Sequence, residues 1–136
     1  MKKQILVLCA AAAIALLLAV KPQHMREACI PLQPFIDQQL VISVAAGLRL
    51  CDLSRWLGGH DRLIRAMPNT PALVNAGMTS VTPNALVTPE DTADVLNIFR
   101  CFGEAEVIAE PMIHPVVGVS GSSPAYVFMF IEAMAD

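Results

Sequence analysis

Leu63-Ile64-Arg65-Ala66-Met67-Pro68-Asn69-Thr70-Pro71 reads as a buried strand that breaks into a tight, polar, proline-bracketed loop. Leu63 to Met67 supplies the strand, and Pro68, with its fixed φ and no N–H, cuts it off. A second stretch, Gly121-Ser122-Ser123-Pro124-Ala125-Tyr126, reads as a small-residue loop that opens a helix, with Ser123 as N-cap and Pro124 following. Loops of this kind on a packed scaffold are where α/β enzymes place their ligand contacts. Asn69 lies between two prolines, so its amide sits on a stiff backbone and can bond a ligand or cap its own turn.

Working outward, Leu40 to Ala45 is a short β-branched run bounded by Gly47 and reads as a buried parallel strand. Leu16 to Val20 reads as another, followed by Lys21-Pro22 and a short helix over Gln23 to Ile30 that Pro31 and Pro34 interrupt. Strand, helix and strand within about 30 residues make a βαβ unit. A short helix is expected over Asp52 to Leu57, and an alternating strand over Gly77 to Thr82. Thr88, Pro89 and Asp91 start a helix whose stripe is Val95, Leu96, Ile98, Phe99 and Phe102, with Gly103 closing it. Glu106 to Ala109 is a last short strand. From Ser123 the final helix is apolar nearly all round, which suits a helix with further helices against it.

At 136 residues the chain is one domain by size. A net charge of −3 gives no basic footprint for nucleic acid. The four cysteines (Cys9, Cys29, Cys51, Cys101) and three histidines (His24, His60, His114) have no metal-ligand spacing, so no metal is expected and the thiols read as reduced, in a cytoplasmic setting. Neither serine of the second motif sits in Gly-x-Ser-x-Gly, which argues against a serine hydrolase. Met1-Lys2-Lys3 followed by the apolar run Ile5 to Val20 admits two readings. It resembles an export signal, though it is shorter than a spanning helix. It equally reads as a buried strand preceded by an alanine-rich helix or by a second strand near Ile5 to Leu8.

Ligands of open α/β sheets bind at the carboxyl ends of the strands. Lys21 stands at one such end, able to face a phosphate or a ribose or to be merely solvated. Ser43-Val44-Ala45-Ala46-Gly47 stands at another, where small side chains permit close approach of a ring or of a packed helix. The Gly-x-Gly-x-x-Gly spacing that grips a pyrophosphate is absent from the seven glycines.

Ala-Val-Lys-Pro (19–22), Val-Ile-Ser-Val-Ala-Ala-Gly (41–47), Arg-Ala-Met-Pro-Asn-Thr-Pro-Ala-Leu-Val (65–74) and Gly-Ser-Ser-Pro-Ala-Tyr-Val-Phe (121–128), in this order, closely resemble pyrroline-5-carboxylate reductase. The match looks enterobacterial from about Arg62 to Asp136 and family-like from about Leu16, while residues 1–15 do not look like the family. The resemblance implies NADPH- or NADH-dependent reduction of 1-pyrroline-5-carboxylate to L-proline, on a Rossmann domain followed by a helical domain that forms homodimers or larger oligomers. It implies an α/β chain made of a partial Rossmann-like cofactor domain over 16–120 and the first helix of a helical dimerisation domain over 121–136. Ala19, Lys21, Pro22, Ala45 and Ala46 would line the cofactor cleft, and Met67, Pro68 and Asn69 would lie near the nicotinamide. Gly121, Ser122, Ser123 and Pro124 would lie beneath the ring and the substrate, with Ser123 standing where the family commonly has glycine. No catalytic acid or base stands out. The missing glycine loop and helices lead us to expect no activity from this length of chain alone. The alternatives are a non-catalytic fragment and a membrane-tethered or exported protein led by residues 5–20.

Overall fold

A computed structural model describes residues 15–135, so the expectations for residues 1–14, including the start of the apolar leader, lie outside the described residues. Five strands form one sheet in sequence order: β1 (Ala15–Leu18), β2 (Leu40–Ser43), β3 (Leu63–Met67), β4 (Gly77–Pro83) and β5 (Gly103–Val107). The first three run parallel, β4 turns back antiparallel to β3, and β5 follows parallel to β4. The expected α/β class is thus observed, with a mixed sheet.

Side-chain alternation along the strands builds two cores. Leu18, Val41 and Leu63 point to one face, under helices α1 (Pro22–Cys29) and α2 (Leu50–Trp56), where they meet Met25, Cys29, Leu53 and Leu57. Leu40, Ile42, Ile64, Ala66 and Val81 point to the other, under Val95 and Phe99 of α3 (Pro89–Arg100). Covering both faces is why β2 and β3 read as continuous apolar runs.

Several boundaries differ from expectation. β1 stops at Leu18, before Val20, and β2 at Ser43, before Ala45, because the chain already turns toward the next helix there. Pro31 and Pro34 do not end helical winding but convert it to a 3₁₀ stretch, Ile30–Phe35, following α1 directly. Gly103 does not cap α3, whose end residue Cys101 keeps ordinary helical dihedrals. It is the first residue of β5, at φ +143°, where a Cβ would lie 2.1 Å from the Gly77 carbonyl oxygen. Gly77 and Gly103 form the first rung between β4 and β5, so glycine is needed there for the approach of two backbones.

The largest correction concerns residues 118–124. They are not a loop. A helical run begins with a 3₁₀ turn at Glu110–Met112, continues as α4 (Ile113–Val116), widens into a π turn at Val117–Gly121, and resumes as α5 (Ser123–Ala135). The π turn closes through the Ser122 N–H, which donates to the Val117 carbonyl at 2.9 Å. The physical reason is local. Pro124 has no N–H to return to the carbonyl of Ser120 four residues back, so the ladder shifts rather than breaks.

α3 starts as expected: the Thr88 hydroxyl accepts from the Asp91 N–H, and the Asp91 carboxylate accepts from the Thr88 N–H, completing a capping box. Asp91 also accepts two bonds from Arg62, at 2.7 and 3.0 Å, which ties α3 to the start of β3. That guanidinium, hydrogen-bonded to it, holds the Asp91 carboxyl below the usual carboxylate range. A carboxyl depressed on folding contributes stability that is present above its unfolded value, about 3.9, and lost as pH falls through the folded one. Arg62→Gln should therefore be less stable than the parent at neutral pH, with the gap narrowing below roughly pH 5 in urea titrations. A gap independent of pH down to full protonation would remove the pair from the acid stability of this fold.

Candidate functional site

The parallel pairing of β1, β2 and β3 brings their carboxyl ends to one edge. Leu18 is in register with Ser43, and Ser43 with Arg65. The segments that follow, Ala19 to Pro22, Val44 to Gly47 and Met67 to Asn69, therefore lie side by side. The Val44 N–H donates to the Leu18 carbonyl at 3.3 Å, and the Ala45 N–H to the Ser43 hydroxyl at 3.3 Å, which folds the second segment over the strand ends. Ala45 is buried, Ala46 and Ala19 are exposed, and nothing lies within 4 Å of where a Gly47 side chain would begin. The edge is thus an open surface of small groups. Lys21 is exposed as the N-cap residue of α1, so its charge adds to the positive end of that helix.

Asn69 answers the question its prolines posed. It does not cap its own turn. Its carbonyl oxygen accepts from the Met78 N–H on β4 at 2.8 Å, and its amide nitrogen donates to the Ser120 carbonyl at 3.1 Å and to the Ser120 hydroxyl at 3.0 Å. The Ser120 carbonyl is the one left without a ladder donor by Pro124. Asn69 thereby fastens the π turn, through Ser120, to the strand edge. The Ser123 hydroxyl is turned inward, donating to the Gly118 carbonyl at 3.4 Å.

A second tie escaped the sequence reading. Arg65 is buried on the face it shares with Leu63, between Ser43 and Thr82 of the neighbouring strands. Its Nη1 donates to Glu110 Oε1 at 3.4 Å, and the same oxygen accepts from the Leu50 N–H at the start of α2 at 2.8 Å. Glu110 opens the helical run, so this carboxylate joins sheet, α2 and run. No spacing rule links positions 45 residues apart. Ser120 had a signal in principle: a proline four residues on, which orphans its carbonyl.

Among the described residues no three His, Cys, Asp or Glu side chains gather to hold a metal ion. Burial pushes the Cys29 thiol up to about 11, leaving it an inert core group.

Residues 110–136, which include the helical run, match a family profile described as pyrroline-5-carboxylate reductase dimerisation. The pyrroline-5-carboxylate reductase of Escherichia coli K12 is 75% identical over 119 residues, covering 87% of this chain and 44% of that protein. Over its matched length the chain is similar to pyrroline-5-carboxylate reductases. The solved reductase of Coxiella burnetii superposes with a TM-score of 0.85 at 36% identity, over 90% of this chain and 46% of that one. The Plasmodium falciparum reductase, solved with NADP bound, gives 0.79 at 32% identity over 86% and 47%. The chain spans less than half the length of each of these relatives. In family terms, the profile boundary at residue 110 coincides with the start of the helical run, so the small-residue motif at 118–124 lies inside the helical part.

Asn69→Ala leaves the Met78 N–H and the Ser120 carbonyl without partners, and we expect it to cost about 2–3 kcal/mol in urea unfolding. Amide exchange at Ser122 should accelerate well beyond that of the β2 and β3 amides. A loss under about 0.5 kcal/mol, with Ser122 still protected, would show that the amide does not hold the π turn.

Proposed function

We propose that this chain forms the nicotinamide-side part of an NADPH- or NADH-dependent 1-pyrroline-5-carboxylate reductase, producing L-proline in the cytoplasm. The observation that carries this reading is the meeting of three parallel strand ends with the π turn through Asn69 and Ser120. The small residues at those ends fit a flat ring and a ribose lying along the edge. A bound nicotinamide would supply the hydride.

Ala19, Lys21, Pro22, Ala45 and Ala46 line the cofactor side of the edge, and Met67 and Pro68 stand nearest the ring. Asn69 positions the turn. Gly121, Ser122, Ser123 and Pro124 face the cyclic imine. Reduction adds a hydride to the imine carbon and a proton to its nitrogen, a group basic enough to be protonated in water. The chain's task is then orientation and exclusion of water rather than strong acid–base work. The cationic side chains at the starts of α1 and α2 are Lys21 and Arg49, both exposed, and Arg49 is held by Asp52.

The sheet through residue 109 and the run from Glu110 act as two parts, cofactor-binding and assembling. Tyr126 to Ile131 and Met134 are each 51–67% exposed although nearly all are apolar. The run Glu110–Ala135 is long and apolar enough to cross a membrane by length and composition alone. The dimerisation profile over the same residues favours packing against helices of a second copy.

The test is a graft. The 119 matched residues of this chain replace their counterparts in the E. coli reductase, and loss of reduced-nicotinamide absorbance is followed with 1-pyrroline-5-carboxylate. We expect turnover within an order of magnitude of the parent, and none from the 136-residue chain alone, which lacks a glycine-rich phosphate loop. A folded but inactive hybrid would sink the functional reading. Robust turnover by the chain alone would show the glycine loop to be dispensable.

A further inference from the structure

Six arginines fall within the described residues. Arg49 is paired with Asp52, Arg62 with Asp91, and Arg65 with Glu110, while Arg100 donates to the Ala105 carbonyl. Arg26 and Arg55 have no acceptor among the described residues. Both line one hollow of about 490 Å³, together with Ile30, Gln33 and the chain's single tryptophan, Trp56.

The hollow lies far from the candidate site. α1 and α2 each begin just after the carboxyl end of a strand and run back, so their last turns, which carry Arg26 and Arg55, sit toward the opposite edge of the sheet. A cation in a last turn is favourable toward the partial negative charge there, roughly half a unit per helix. That accounts for one arginine on each helix. It leaves an excess of about one positive charge, and it does not explain why both arginines, without a hydrogen-bond acceptor among the described residues, line the same concavity as Trp56. Gln33 Nε2 donates to the Trp56 carbonyl at 3.1 Å, which fixes the 3₁₀ stretch against the end of α2 and holds the walls in place.

Guanidinium groups bind phosphate through paired N–H donors, and an indole face takes a flat ring. We propose that this hollow is a binding site for a planar aromatic phosphate, with the ring against Trp56 and the phosphate between Arg26 and Arg55. The proposal goes beyond the reductase reading and does not depend on it. No residue of the hollow belongs to the strand edge or the π turn.

Trp56 is its own reporter, since no other tryptophan contributes to the emission. The 136-residue chain is titrated with phenyl phosphate, with inorganic phosphate and phenol as separate comparators at matched ionic strength. We expect a saturable change in Trp56 emission with phenyl phosphate at lower concentration than with either comparator. Arg26→Gln and Arg55→Gln should each weaken it about tenfold or more, the pair should abolish it, and Arg100→Gln on α3, across the sheet, should leave it unchanged. Both arginines are exposed, so circular dichroism of each variant should match the parent. A response that does not saturate, or that survives the Arg26→Gln/Arg55→Gln pair, would overturn the site. Equal affinity for inorganic phosphate would overturn the aromatic part of the ligand.

Discussion

The arrangement of sheet and helix turns on a donor that is missing. Pro124 has no N–H, so an α-helical ladder passing through residues 120–124 must leave the Ser120 carbonyl open. A partly buried carbonyl with no partner costs on the order of 1–3 kcal/mol, and the chain offsets this in two ways. The backbone widens into a π turn, closed by the Ser122 N–H, and Asn69 reaches across from the end of β3 to donate to the open oxygen. Asn69 can do this because Pro68 and Pro71 stiffen its backbone and because the Met78 N–H fixes the other end of its amide. One irregularity in a helix is therefore answered by one side chain on a strand edge. The contact that results brings the two sequence motifs together.

A polar tie is needed because the helical run has little apolar contact with the sheet. Ile113 is its buried residue, and the side chains of α5 are turned outward. Burial of so small an area could not by itself hold a helix of this length in a defined orientation. Glu110 supplies the second fixed point, taking the Leu50 N–H and the Arg65 guanidinium on the same oxygen. A carboxylate at the first residue of α2 is also where the helix favours negative charge. The pair is worth more for geometry than for stability, since replacing both groups by apolar ones is often neutral, whereas losing Glu110 alone would strand the buried Arg65. Two such points, at positions 110 and 120, fix the direction of the run and leave its apolar faces free for other helices.

What could be read in the sequence was what depends on neighbours along the chain. The break of β3 at Pro68, the Thr88–Asp91 capping box and the buried character of β2 all follow from short-range rules, and the residues found in the structure are the ones those rules name. Errors arose where a contact distant in sequence decided the local conformation. Gly103 looked like a helix terminator because it follows an amphipathic stripe, but the backbone of Gly77 is what excludes a side chain there. The segment 118–124 looked like a loop because glycine and serine disfavour helix, yet its ends are held helical by Asn69 and by continuity with α4 and α5. Arg65 in an apolar strand should have signalled a buried partner, though its identity as Glu110 could not be had without the fold.

The same topology gives the sheet two chemically different edges. The parallel strands β1, β2 and β3 put the starts of α1 and α2 at the carboxyl edge and their ends at the amino edge, whereas α3, after the antiparallel β4, runs the other way. At the carboxyl edge stand N–H groups, Lys21 and the Asp52-paired Arg49 beside alanine and glycine, which suits a ligand that needs close approach. At the amino edge, the carbonyl ends of α1 and α2 call for cations, and Arg26 and Arg55 meet that need. Long, flexible cations placed for a helix terminus need not be consumed by it, because the terminal carbonyls are already engaged: the Leu57 N–H takes the Leu53 and Ser54 carbonyls, and Gln33 takes that of Trp56. Two guanidinium groups recruited by backbone polarity, and without acceptors among the described residues, are a surplus of hydrogen-bond donors. A surplus beside an indole has the chemistry of a site for an aromatic phosphate.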